Sequence, residues 1–316
     1  MTLENDYIKL LLNLASMYYE ENATQQEIAK KYNMSRSLVS KYLKNARDLG
    51  LVQINIRNDY LNPYYNFEQD FIKKFQIKNI ICVESHEIAE IQKSRVVSAA
   101  NNFLLNQLTD GDSVTIAGGT TINDMSTTIS TTKKFPNTTF ISMSGGLGDE
   151  NLNIQTNKIC ENFANRLHSK VKLLFAPVLV DSIEARNIFL QQSFIKSILN
   201  AAHNATIALV GIGGKPNNST LANAYINQYN SKSSILNQVV GDICYNFLDK
   251  FGNLIDCEWN QRVITLGINQ LKNIPHVIAV AEGKHKYQSI YAALKQNLID
   301  SLIIDYETAL MVYKIE

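Results

Sequence analysis

The chain has 316 residues, a formal net charge of +1, 45% hydrophobic residues and 19% charged residues. This composition is ordinary for a folded protein long enough to form two domains, and it excludes a disordered or fibrous class. No apolar run approaches the roughly 20 residues of a membrane span, and the polar start MTLENDY lacks a signal-peptide pattern, so we expect a cytoplasmic protein without membrane contact.

Three short helices are predicted in the first fifty residues. Apolar residues at helical spacing indicate the first helix: Leu10, Leu14, Met17 and Tyr18. TQQE, residues 24–27, matches a capping box that begins a second helix. Asn33 can adopt the left-handed conformation of a tight turn, and Ser35 can cap a third helix. The pattern predicts a helix-turn-helix.

The third helix carries a basic, polar face. Residues 24–57 hold seven Lys and Arg against two acidic residues, a local net charge of +5. In a helix-turn-helix the second helix of the motif enters the major groove. We therefore predict base contacts from Arg36, Ser37, Ser40 and Lys41, and phosphate contacts from Lys44 and Lys30. The alternative is a small helical domain whose polar face is merely solvated.

The chain after the third helix predicts a wing and a linker. Gly50 can end the helix, and the alternation in LVQINIR, residues 51–57, predicts a wing strand. A winged helix-turn-helix is therefore assigned to residues 1–57. NDYLNPYY then predicts a connector and NFEQDFIKKF a helix, so that residues 58–77 form a linker helix.

Short apolar runs and amphipathic stretches alternate over residues 78–316. The strand-like runs are NIICVE, SVTIAGG, TTFISMSGG, KLLFAPVLV, TIALVGIGG and HVIAVAEG, and helical stretches include QKSRVVSAANNFLLNQL and SFIKSILNAA. This alternation predicts an α/β domain with a doubly wound, mainly parallel sheet that is covered on both faces. Ligands of such domains bind at the carboxyl ends of the strands.

SVTIAGGTT, residues 113–121, joins one of these strands to a helix. Gly118 and Gly119 expose backbone N–H groups that no Cβ shields, and Thr120 and Thr121 add two hydroxyls. The first N–H groups of the following helix point the same way, which suits a phosphate. A plain tight turn would use the same residues.

The four cysteines and the remaining motifs indicate neither a metal site nor a catalytic centre. Cys82, Cys160, Cys244 and Cys257 lack paired spacing, so we expect free, mostly buried thiols and no cofactor. HEIAE, residues 86–90, lacks the second histidine of a zinc motif, and GIGGK is too short for a phosphate-binding Walker loop.

The ordered motifs resemble the SorC/DeoR-type bacterial transcription regulators. They are EIAKKYNMSRSLVSKYLKNARDLGLV, SGGLGDE, IALVGIG, VVGDICYNFLDKFGNLID and VIAVAEGKHKYQSIYAAL, and the resemblance extends over nearly all of the chain. It implies an effector domain similar in fold to sugar-phosphate isomerases and deaminases, without an enzymatic role, that helps to form dimers or tetramers. It also implies a repressor of carbohydrate metabolism, with operator DNA and a phosphorylated sugar as partners.

The resemblance further implies which residues bind the effector. Lys286 would add a point charge to the phosphate, Asp242 would accept hydrogen bonds from sugar hydroxyls, and Gln155 falls at an effector-contact position. The full set is Gly118, Gly119, Thr120, Thr121, Gln155, Asp242 and Lys286. Structural alternatives are a solvated helix start for Lys286, a turn former for Asp242 and a surface amide for Gln155.

Two departures from the family pattern favour a monophosphate. Relatives that respond to a bisphosphate have arginine where this chain has Ser144, and arginines in the loop where GKPNNSTLANA offers only Lys215. Losing arginine forks removes the charge-assisted contacts that a second phosphate needs. An isomerase or deaminase with an appended DNA-binding module is the alternative function.

Overall fold

The computed structural model describes residues 2–52, 62–146, 152–216 and 237–315. The chain divides into two compact units, Met1–Asn62 and Pro63–Glu316. Residues 53–57 of the predicted wing strand, residues 58–61 of the predicted connector and residues 147–150 of SGGLGDE lie outside the described residues.

The first unit contains three helices around a small apolar core. They are α1 (Thr2–Tyr19), α2 (Gln25–Lys31) and α3 (Arg36–Asp48). Leu14 and Met17 of the predicted stripe are buried in this core, where they pack with side chains from all three helices, including Ile28, Val39 and Leu43.

Capping places the helices of the first unit where the sequence predicts them. The Thr24 hydroxyl accepts a hydrogen bond from the N–H of Glu27 at 3.3 Å, and Glu27 Oε2 accepts one from the N–H of Thr24 at 2.8 Å. This reciprocal pair confirms the capping box. Asn33 adopts a φ of 53°, and the Ser35 hydroxyl accepts from the N–H of Leu38 at 3.2 Å.

The second unit alternates strands and helices. Its strands are β1 (Asn79–Val83), β2 (Ser113–Ile116), β3 (Thr139–Ser142), β4 (Lys170–Lys172), β5 (Ile207–Gly213), β6 (Gly241–Ile243), β7 (Asn246–Leu248), β8 (His276–Ala281) and β9 (Ser301–Asp305). Its helices are α4 (Tyr65–Phe75), α5 (Ala89–Gln107), α6 (Thr120–Thr128), α7 (Thr156–Leu167), α8 (Ile183–Gln191), α9 (Ser193–His203), α10 (Glu258–Arg262), α11 (Ile268–Leu271), α12 (Tyr287–Lys295) and α13 (Tyr306–Tyr313).

Parallel pairing organises the sheet in the order β1-β9-β8-β5-β2-β3-β4, and β6 and β7 form an antiparallel hairpin beside β5. Side chains alternate between two cores: on β5, Ile207 and Leu209 pack on one face and Ala208 and Val210 on the other. Both faces are therefore covered by helices, which confirms the predicted doubly wound α/β fold.

Two strand predictions differ from the structure. KLLFAPVLV is wrong as a strand, because β4 ends at Lys172 and the rest of the run makes only isolated bridges at Pro177 and Leu179. Proline has no N–H for a ladder, which limits pairing there. Conversely, SLIID, which is not among the predicted strand-like runs, forms the buried strand β9 between β1 and β8.

Helix α4 matches the helix predicted within residues 58–77, but it is part of the second unit. Phe71 and Phe75 are buried in the larger core, and the Lys74 ammonium contacts the carbonyl oxygens of Tyr313 and Ile315. The boundary between the compact units therefore precedes this helix, at residues 62 and 63.

The cysteines are free, as predicted. Cys82, Cys160 and Cys244 are buried and Cys257 is half-buried. Burial raises the pKa of the Cys160 thiol to about 12, so this group is an unreactive thiol at neutral pH.

Candidate functional site

The two glycines of the β2–α6 loop have different structural roles. Gly119 adopts a φ of 135°, a conformation that is essentially confined to glycine, and its N–H donates to the carbonyl oxygen of Ile154 at 3.1 Å. A Cβ on Gly118 would lie 2.9 Å from Tyr245 Oη and 3.0 Å from the Ile154 carbonyl oxygen. Gly118 is therefore needed for close packing and Gly119 for backbone conformation.

Tyr245 reaches Gly118 from a tightly held hairpin turn. Cys244 and Tyr245 join β6 to β7 with φ values of 52° and 64°, the left-handed conformations of a type I′ turn. Asn246 donates to the carbonyl oxygens of Ile243, Cys244 and Leu266, each at 3.1 Å. Tyr245 was not predicted as a site residue, although a two-residue turn between short apolar runs could have indicated the hairpin.

Thr121 and Lys286 converge on one carboxylate, that of Glu282. Thr121 Oγ1 donates to Glu282 and lies 3.1 Å from both of its carboxylate oxygens, and Lys286 Nζ lies 4.0 Å from Glu282 Oε1. The side chains of Lys286 and Glu282 are only 15% and 14% exposed. The sequence prediction did not include Glu282, which directly follows the last residue of β8 in AEGKH.

The 3₁₀ turn Lys284–Lys286 presents Lys286 at the site, and its neighbours differ in charge and exposure. Burial first, and then the nearby Lys286 charge, lower the pKa of His285, so its ring is neutral at pH 7. Lys284 is 61% exposed and pairs with Glu307 at 2.6 Å. Lys286 is therefore the residue of this turn that brings a partly buried positive charge to Glu282, the carboxylate that Thr121 also contacts.

Asp242 and Gln155 lie on elements adjoining the same loop. Asp242 is buried on β6, contacts Gly213 at the end of β5, and accepts from the N–H of Tyr245 at 3.3 Å. Gln155 occupies the N-cap position of α7 without a side-chain capping hydrogen bond, and its Oε1 lies 3.0 Å from the position that a Cβ on Gly146 would take. Both side chains therefore place oxygen atoms close to the loops at this edge of the sheet.

The structure thus brings most of the predicted effector residues to one edge of the sheet. Gly118 and Asp242 are joined through Tyr245, Thr121 and Lys286 are joined through Glu282, and Gln155 adjoins Ile154 at Gly119. Thr120 is exposed at the start of α6. This edge lies at the carboxyl ends of β2, β5 and β8, where ligands of parallel sheets bind.

The two positions that depart from the bisphosphate pattern are also defined. Ser144 is buried, and its hydroxyl shares a 2.7 Å hydrogen bond with Thr156 Oγ1. Lys215 is exposed beyond the end of β5. Ser144 is therefore engaged within the protein and brings no positive charge.

The predicted DNA-binding residues share the exposed face of α3. The opposite face buries Val39, Leu43 and Ala46 in the core of the first unit. All five predicted residues are exposed: Arg36, Ser37, Ser40, Lys41 and Lys44. Their spacing places them along one side of the helix, with Arg36 and Ser37 in its first turn.

The described residues lack two features that are typical of other protein classes. No helix there combines the length and apolar character needed to cross a membrane. Within the same residues, no group of three or more His, Cys, Asp or Glu side chains is placed to hold a metal ion.

Comparison with protein families assigns both units. The Sugar-bind family, described as a sugar-binding domain, matches residues 61–314, and sigma-70 region 4 matches residues 16–48. The chain belongs to the Sugar-bind family. The second match covers α2 and α3, which carry the helix-turn-helix.

Relatives of this Sugar-bind protein are full-length regulators. It is 28% identical to the sorbitol operon regulator of Klebsiella pneumoniae over 98% of this chain and 99% of the relative. It is 27% identical to the deoxyribonucleoside regulator of Bacillus subtilis over 95% and 96% of the two chains. The SorC/DeoR-type resemblance is therefore confirmed.

Solved structures agree with this assignment. The full-length SorC structure from Klebsiella pneumoniae matches 97% of this chain and 99% of its own with a TM-score of 0.79 and 26% identity. A DeoR family regulator from Listeria monocytogenes matches 79% of this chain and all of its own, with a TM-score of 0.73 and 28% identity. The protein is thus a transcriptional regulator with a sugar-binding domain.

Proposed function

We propose that this protein represses a carbohydrate operon and is controlled by a phosphorylated sugar bound at the edge formed by Gly118, Thr121 and Lys286. The observation that supports the proposal best is the convergence of the partly buried Lys286 ammonium and the Thr121 hydroxyl, at the start of α6, on the carboxylate of Glu282. A hydroxyl, a cation and helix N-terminal amides are together a suitable donor set for a phosphate. Relatives named for sorbitol and for deoxyribonucleosides support a sugar as the rest of the ligand.

The sugar itself would contact the neighbouring oxygen acceptors. Asp242 accepts from the N–H of Tyr245, whose ring packs at Gly118, and Gln155 follows Ile154, whose carbonyl oxygen accepts from the N–H of Gly119. Carboxylate and amide oxygens accept hydrogen bonds from sugar hydroxyls. Since Ser144 supplies no charge and is bonded to Thr156, a sugar monophosphate fits this edge better than a bisphosphate.

Operator binding is assigned to α3. Arg36, Ser37, Ser40 and Lys41 would face base edges and Lys44 the phosphate backbone, because all five side chains are exposed on one face of this helix. A single domain of this size makes a small DNA interface, and symmetric half-sites are the usual remedy. The functional form is therefore proposed to be a cytoplasmic homodimer or homotetramer.

The effector site is tested by Lys286→Ala with Lys284→Ala as a matched control. Losing a charge-assisted contact costs about 1.5–3 kcal/mol, so the Lys286 variant is expected to bind a sugar phosphate at least tenfold more weakly. Lys284 is exposed and paired with Glu307, so its variant is expected to bind as the wild type does.

Calorimetric titration with a panel of sugar monophosphates, each compared with its unphosphorylated parent, measures the ligand affinity of the wild type and of both variants. At a ligand concentration of about 100 times Kd, the wild type gains roughly 2.7 kcal/mol of folding stability. Equal affinity of wild type and Lys286→Ala for the best sugar phosphate would contradict the site. Turnover of any of these sugars would instead favour an isomerase or deaminase, with Glu282 as the carboxylate nearest to Thr121 and Lys286.

A further inference from the structure

Glu282 occupies the donors that the phosphate site offers. Its two carboxylate oxygens accept from the same Thr121 hydroxyl, and Lys286 Nζ approaches Oε1 at 4.0 Å. All three side chains are largely buried, so water screens the charges incompletely. By contrast, Glu307 is 53% exposed and pairs with Lys284 outside this cluster.

A carboxylate and a phosphate group compete for this arrangement. Both are anions whose oxygens accept hydrogen bonds, and both are stabilised by the same hydroxyl and ammonium. A phosphate at Thr121 and Lys286 would also stand next to the negative charge of Glu282, and like charges at such distances repel each other strongly in a partly buried site.

We propose that Glu282 is an internal competitor of the effector: a carboxylate that holds Thr121 and Lys286 until the phosphate of the effector displaces it, and that lowers the affinity of the site for every phosphate group. This inference rests on the proposed sugar-phosphate function. Inorganic phosphate has no further contacts to offset the displacement, so it is kept out at cellular concentrations. A sugar phosphate offsets it with hydroxyl contacts to residues such as Asp242 and Gln155.

Glu282→Gln tests the displacement because it keeps the size and the hydrogen-bond acceptor of the side chain while removing its charge. Titration of the full chain with inorganic phosphate is expected to show a Kd lowered roughly tenfold or more relative to wild type. Sugar monophosphates are expected to tighten by a similar factor, whereas their unphosphorylated parents are expected to bind unchanged. Glu282→Ala removes the same charge and serves as a second variant with the same expected direction.

Glu307→Gln is the matched control, because it removes one negative charge from the same edge of the sheet but outside the cluster. It is expected to bind inorganic phosphate as the wild type does. An equal gain in Glu307→Gln would overturn the proposal, because the effect would then be one of overall charge. Unchanged or weaker phosphate binding in Glu282→Gln and Glu282→Ala would overturn it too, and weaker binding would make Glu282 a ligand contact.

The two hypotheses fail separately. If the wild type binds a sugar phosphate, Lys286→Ala does not, and the Glu282 variants gain nothing, the effector site stands and the role of Glu282 is overturned. If the wild type binds none of the sugar phosphates but Glu282→Gln binds inorganic phosphate more tightly than the wild type does, the displacement by Glu282 is supported and the proposed effector is wrong.

Discussion

At the scale of single residues, Gly118 shows how close packing can require a glycine without unusual backbone strain. Its missing Cβ leaves room for Tyr245 Oη, the Ile154 carbonyl and Thr156 Oγ1, which would lie 2.9, 3.0 and 3.2 Å from that atom. One of these contacts is a backbone carbonyl, which cannot move aside as a flexible side chain can. The loop that begins α6 is therefore fixed against the hairpin and the start of α7.

Gly118→Ala is expected to lower the free energy of unfolding by about 1–3 kcal/mol, the usual cost of overpacking a tight site. Gly211→Ala is the control, because a Cβ there meets only Ile122 Cγ1 at an ordinary 3.8 Å. Urea unfolding followed by the fluorescence of Trp259, the single tryptophan of the chain, reports on the unit that contains both glycines. Equal stability of the two variants would contradict the close packing at Gly118.

The sequence predicted Lys286 and Thr121 as site residues but missed Glu282 and Tyr245. Phosphate sites favour donors, so an acidic residue in AEGKH gives no reason to place it there. Its role depends on β8 ending opposite the start of α6, and Tyr245 depends on a hairpin that folds back onto Gly118. Contacts between residues 161 and 127 positions apart in the chain are set by topology rather than by local pattern.

At the scale of elements, local chemistry was the more reliable guide. Thr24, Glu27, Asn33 and Ser35 act through neighbours three or fewer residues away or through their own backbone, and each behaves as predicted. KLLFAPVLV fails for the opposite reason, because apolar content alone does not ensure a pairing partner. Its buried residues Leu174 and Val178 fill the core from irregular chain rather than from a strand.

The exposed face of α3 is expected to contact operator DNA. Arg36→Ala or Lys41→Ala is expected to weaken operator binding by about 1–3 kcal/mol if the side chain contacts a base edge. Lys9→Ala removes the same charge from an exposed position on a different helix, α1, and is expected to change affinity little. Fluorescence anisotropy at one fixed salt concentration, with DNA selected from a random library, measures the operator affinity of all three variants.

The salt dependence of the same titrations separates base contacts from phosphate contacts. Loss of a phosphate contact reduces the magnitude of the negative slope of log K against log salt by about one, and it weakens binding to all sequences alike. Unchanged operator affinity in both Arg36→Ala and Lys41→Ala would remove α3 as the recognition helix.

At the scale of the whole molecule, the effector must favour one conformational state of the regulator over another to act on DNA. A ligand that binds both states equally changes nothing, however tightly it binds. Typical coupling free energies are about 1–3 kcal/mol, which corresponds to roughly 5–150-fold in affinity. For a repressor, a saturating sugar phosphate is therefore expected to weaken operator binding within this range.

The coupling between the two ligands is reciprocal, so operator DNA must weaken sugar-phosphate binding by the same factor as the sugar phosphate weakens operator binding. Calorimetric titration of the sugar phosphate with and without saturating operator gives one factor, and anisotropy with and without the sugar phosphate gives the other. Light scattering of the complex is expected to show two or four chains per operator. Lys286→Ala is expected to keep its operator affinity while losing the response. Loss of operator affinity in that variant would show that Lys286 supports the fold or the assembly of the protein and does not act in effector binding.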